Sequence, residues 1–133
     1  MKTLPLRLTP GQDLRAALAG VLAEQGAQAG FVLQGIGSLR GARLRLAGAL
    51  EATDLQGDIE ILTLAGSLSP DGPHLHMALA DAAGRVLGGH VLAGCTIRTT
   101  AEILIALLPG HRFARAPDAA SGFDELVVHS HDC

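Results

Sequence analysis

The spacing of apolar positions changes once along this chain, near residue 26. Leu14, Leu18, Val21 and Leu22 recur at helical intervals and form one stripe. Thr9 is placed to cap that helix and Pro10 to open its first turn. Gly26 can end it in a left-handed conformation. Beyond Gly26 the period falls to two, and strands are predicted over 29–34, 42–47, 58–67, 75–79, 85–93 and 97–107. Gly35-Ile36-Gly37-Ser38 predicts a tight turn that closes the first of them. Residues 103–108 are apolar at both parities, so a strand there is covered on both faces. The pattern predicts an α/β (α+β) fold, mainly antiparallel β-sheet with an N-terminal helix. A helix of about sixteen residues cannot cover both faces of such a sheet. The excess apolar surface is therefore expected to be buried between subunits of an oligomer.

Composition narrows the class. The chain has 133 residues, 48% hydrophobic and 17% charged, which excludes disorder and fits one domain. No apolar run approaches the ~20 residues that span a bilayer, and the first residues carry no apolar signal segment. Ten Lys and Arg against thirteen Asp and Glu leave a net charge of −3, the wrong sign for a dedicated phosphate-backbone binder. Three Phe and no Tyr or Trp offer few platforms for stacked bases. Cys95 and Cys133 lie far apart, a usage that suits a reducing cytoplasm. Residues 1–128 are expected to form the domain, and 129–133 a flexible tail containing His129 and His131.

The chemistry concentrates in one hairpin. His74 and His76 are two apart and project from the same strand face. Gly84 suits the left-handed last position of a three-residue loop, Ala82-Ala83-Gly84. That loop sets His76 opposite His90, with Leu75 meeting Val91, Met77 meeting Gly89 and Leu79 meeting Leu87. One face then carries three histidines and the other is continuously apolar. A two-residue loop would turn His90 to the wrong side and mix the faces. Three neutral imidazoles converging on one point suit Zn²⁺, one per subunit, with a fourth position open to water or a ligand.

The same residues carry a resemblance to the PPC domain (plants-and-prokaryotes-conserved), from Arg7 to Leu126. It rests on Arg7-Leu8, Gly11-Gln12-Asp13-Leu14, Gly35-Ile36-Gly37-Ser38 and Gly72-Pro73-His74-Leu75-His76. It continues through Gly88-Gly89-His90-Val91, Thr100-Ala101-Glu102-Ile103 and Phe113-Ala114-Arg115 to Ser121-Gly122-Phe123-Asp124-Glu125-Leu126. The resemblance implies a homotrimer built around an antiparallel sheet, with zinc on His74, His76 and His90. It also brings a DNA-binding label, earned in plant relatives by an attached AT-hook. Here the nearest text is Arg40-Gly41-Ala42-Arg43, without the Arg-Gly-Arg-Pro core that enters a minor groove. The implied fold is also similar to that of acetolactate decarboxylase, another three-histidine zinc protein.

Other residues stay open between two roles. Glu102 either reaches solvent or pairs with Arg98, or it serves as an acid/base carboxylate beside the metal. Arg115 either grips a carboxylate or phosphate, or it pairs between subunits with Asp118 or Glu125. Arg43 and Arg45 read as a solvated stripe, and Cys95 as a small core residue facing away from His90. The leading expectation is a cytoplasmic, trimeric zinc module that binds a small anionic ligand or a partner protein. A DNA-associated regulator and a zinc-dependent lyase or decarboxylase acting on a small carboxylate are the alternatives.

Overall fold

The computed structural model describes residues 1–131. Its first element is a strand, where the pattern had pointed to a helix. β1 (Lys2–Leu8) lies antiparallel to β6 (Ile97–Leu107), from Lys2 opposite Leu107 to Leu8 opposite Ala101. The alternation of Leu4, Leu6 and Leu8 makes it, and its edge position tolerates Pro5, which has no N–H for the ladder.

The helix follows in two pieces, α1 (Leu14–Ala19) and α2 (Val21–Gln25), broken at Gly20. Its cap is Asp13, not Thr9. One Asp13 carboxylate oxygen accepts from Ala16 N at 2.9 Å, and the other accepts from Gly94 N at 2.7 Å. Thr9 instead donates to Gln12 through both its amide and its hydroxyl. Gly26 stops α2 with φ +62°, as expected. The stripe is buried as read: Leu14 and Leu18 are 0% and 1% exposed, each contributing about 2 kcal/mol by leaving water.

β2 (Gly30–Arg45) runs straight through the expected turn at Gly35-Ile36-Gly37-Ser38. Those glycines answer crowding. A Cβ on Gly35 would meet Leu64 Cδ2 at 3.1 Å, and one on Gly37 would meet Ala101 Cα at 2.7 Å. β3 (Thr53–Ser69), β4 (Gly72–Ala80) and β5 (Val86–Val91) follow, each antiparallel to its predecessor. The large sheet has the order β1-β6-β2-β3-β4-β5. The far end of β2 turns back onto β5, pairing Leu44 with Val91 and Arg45 with His90. Strands β2 to β5 thereby close a circuit around an apolar filling that includes Leu39, Leu44, Ile59, Leu64, Leu75, Leu79 and Val91.

β7 (His111–Pro117) and β8 (Asp124–Ser130) form a second, two-stranded sheet. This second sheet takes in part of the segment expected as a tail. His129 and Ser130 belong to β8, and His131 N donates to Gly110 O; Asp132 and Cys133 lie outside the described residues. Phe113 of β7 stacks edge-on against Phe31 at 5.6 Å, tying this hairpin to the outward face of the large sheet. On that face Phe31, Ile36 and Leu104 remain 36–49% exposed. Among the described residues, no helix is long and apolar enough to cross a membrane.

Candidate metal centre

The hairpin joining β4 to β5 has the predicted register. His76 pairs with His90, Met77 with Gly89, Ala78 with Gly88, and Leu79 with Leu87. Its loop is closed by Asp81 N donating to Arg85 O and Gly84 N to Asp81 O, with Gly84 at φ +77°. The Asp81 carboxylate also accepts from the amides of Ala83 and Arg85, each at 2.9 Å. Alternation along the pleat does the rest. Pro73, Leu75, Met77 and Leu79 are buried inward, and His74 and His76 face outward.

The three rings meet. Centroids lie 4.9 Å apart for His74 and His76, 5.1 Å for His74 and His90, and 5.7 Å for His76 and His90. One nitrogen from each comes within 4.8 Å of the others, a set that could hold a metal ion. Among the described residues none of the three rings is hydrogen-bonded to another protein group, so their lone pairs are not already committed. Cys95, His129 and His131 stand apart from the set. Cys95 is fully buried, where burial raises its thiol pKa.

Electrostatics favour the neutral, ligating imidazole. The pKa of His90 is lowered from 6.5 to about 4, first by burial and then by Arg45, its cross-strand partner. That of His74 is lowered first by burial and then by Arg115. Protonating either ring costs more in the fold than in the unfolded chain, so the unfolded state binds more protons as the pH falls below 6.5. The metal-free protein should therefore lose stability between pH 6.5 and about 4, and stay nearly level above 7. Melting curves of wild type and His90→Gln across that range check this. The variant should lose the larger part of the slope, and parallel curves would contradict the assignment.

The other candidates are dispersed differently. Glu102 points outward from β6, opposite Arg7 on one side and Ile36 on the other. Strands β2 and β3 separate it from the histidine strand, about 14 Å across the sheet. Its suggested partner is taken: Arg98 Nε lies 3.1 Å from Asp58. Arg115 does approach the histidines. Its Nη2 donates to Ser67 Oγ at 2.8 Å, and Ser67 is the β3 residue opposite His74. Asp118 instead accepts from the amides of Ala120 and Ser121. Arg43 pairs loosely with Asp54 at 3.7 Å. Sequence reasoning missed Ser67, the Asp71 carboxylate that accepts from Arg115 N at 2.8 Å, and the placement of Arg45 beside His90. No local pattern signals any of the three.

Residues 1–109 match the Plants and Prokaryotes Conserved (PCC) domain. The chain belongs to that family. Among relatives of this PCC domain, the bifunctional protein GlmU of Synechococcus sp. strain JA-3-3Ab is 53% identical over 128 residues. The match covers 96% of the chain but 21% of GlmU, so the chain spans about a fifth of the length of the curated relatives it matches. A hypothetical protein from Salmonella superposes with a TM-score of 0.93 at 41% identity, over 97% of this chain and 94% of that one. A metal-containing protein from Archaeoglobus fulgidus superposes at 0.82 with 27% identity, over 96% and 94%.

Proposed function

We propose that this PCC domain is a cytoplasmic, trimeric metal-binding module. It would hold one Zn²⁺ per subunit on His74, His76 and His90 and receive a small anionic ligand or a partner's side chain there. The observation that carries this reading is the convergence of three uncommitted imidazole nitrogens on one sheet face. An all-nitrogen set of three suits zinc among divalent metals and leaves a fourth position free. Zinc so bound supplies a Lewis acid at that open position. The residues themselves contribute neutral rings, a rigid hairpin register and two flanking guanidiniums. The metal-containing relative from Archaeoglobus supports the same reading. Outward exposure of Phe31, Ile36 and Leu104 supports assembly of several copies.

A lyase or decarboxylase would need a proton donor at the histidines, and the one carboxylate proposed for it, Glu102, is separated from the histidine strand β4 by β2 and β3. Two further proteins of this fold, from Bacteroides thetaiotaomicron and Ralstonia eutropha, are described as candidate DNA-binding proteins. At 19% and 21% identity they share the fold. The net charge of −3 weighs against unaided DNA binding here.

Metal analysis and light scattering of the purified protein test the proposal together. One zinc per chain and the mass of a trimer are expected. A monomer that takes up no zinc from a zinc-containing buffer would refute it.

A further inference from the structure

We infer that Arg115 is an anchored anion grip, and that the ligand of this centre is a small carboxylate seated between Arg115 and the three histidines. The inference rests on the metal reading above and adds the ligand class and the residue that selects it.

Arg115 reaches the site from outside the circuit of strands. It lies on β7, whose Phe113 is fixed on Phe31, and its main-chain N–H is held by Asp71 in the β3–β4 turn. The side chain then extends to Ser67, which is only 6% exposed and shares a cross-strand position with His74. Residues so paired have Cβ atoms about 5 Å apart, which brings the guanidinium to the rim of the imidazole cluster. Ser67 and Asp71 act as positioning residues.

A guanidinium has five N–H donors, and one is spent on Ser67. Among the described residues no carboxylate lies within 4 Å of the Arg115 side chain, although the residue is half-buried. Its remaining donors therefore have no carboxylate counter-ion among the described residues. Arg45 flanks the cluster from the opposite edge, beside His90. Against these two stands Glu125, whose charge also acts on His74. Adding a divalent cation makes the surface more positive still, so it calls for an anion.

The anion fits a carboxylate better than a phosphate. Phosphate sites draw on free main-chain N–H groups at helix starts or glycine-rich loops. Along β4, which is paired on both sides, those groups are engaged in the β3–β4 and β4–β5 ladders. A planar carboxylate needs only a planar fork, which Arg115 supplies. A ligand carrying a second oxygen, such as oxalate, then presents that oxygen to the histidine side.

Titration calorimetry on the zinc-loaded full chain tests this with oxalate, acetate and inorganic phosphate, alongside zinc content for every variant. Oxalate should bind more tightly than acetate or phosphate. Arg115→Gln should weaken it about ten- to a hundredfold with zinc content unchanged. Arg115→Lys keeps the charge and loses the fork. It should fall between the two, and it carries the test if the glutamine variant loosens the β7–β8 hairpin. Ser67→Ala should give a smaller loss, again without loss of zinc. Full zinc content with oxalate binding indifferent to Arg115 would overturn the inference alone, as would phosphate binding more tightly than oxalate. Absence of zinc from the wild type would overturn the metal reading and this inference with it.

Discussion

His90→Ala should reduce zinc affinity by about a hundred- to a thousandfold while leaving the fold intact. Apparent binding energies for structural zinc run to roughly 10–16 kcal/mol over four ligands, so one imidazole accounts for about 2.5–4 kcal/mol. That is two to three decades in the dissociation constant. His90 is the ligand supplied by β5, and His74 and His76 both come from β4. Its loss leaves two nitrogens on one strand, a pair that cannot surround an ion. The side chain is half-buried on the outward face and fills no core position, so folding should be little affected. Competition with a zinc-sensitive chelator measures the effect, with His129→Ala as the internal comparison because His129 lies on β8, away from the cluster. Equal affinities for the two variants would remove the three-histidine centre from consideration.

Gly66→Ala should be the most damaging single substitution beneath the site. Gly66 sits opposite Leu75 in the β3–β4 ladder with φ +157°. A methyl group there would be driven into the carbonyl oxygen of His74 and would lie 2.8 Å from Leu75 Cα. Both obstacles are main chain, so the strands must part for the methyl to fit. We expect a loss of about 3 kcal/mol or more and a melting point lower by roughly 10 °C. Zinc binding should weaken as well, because the displaced backbone carries His74. Gly84→Ala provides the contrast. Gly84 has φ +77° but open space around it, so its cost is the conformational one alone, about 1 kcal/mol. Thermal denaturation that ranks the two substitutions equally would show that β3 and β4 are less tightly apposed than described.

The histidine hairpin was legible in the sequence because two independent constraints agree on it. Gly84 selects the loop, and the apolar run Leu75, Met77, Leu79 demands one register. The helical stripe was legible for the same kind of reason, since burial imposes its period directly. Gly35 and Gly37 misled because a glycine required by crowding looks the same in sequence as one required by a turn. What crowds them, Leu64 and Ala101, comes from distant strands. β1 was hidden by its short alternation and by Pro5. Arg45 read only as part of a solvated stripe, and Arg115 stayed open between two roles. One reaches His90 because β2 bends back onto β5, and the other because β7 crosses to Ser67. Both depend on how strands close in space, which no local spacing encodes.

The return of β2 onto β5 has a consequence for how the molecule meets others. An open sheet has two lateral rims of unsatisfied amides and carbonyls, each able to template a foreign chain. Here one rim is partly sealed by the molecule's own backbone, and the other is β1, interrupted by Pro5. Fibril-like growth by lateral accretion is discouraged at both borders of the large sheet, which leaves encounters there to side chains on its broad surface.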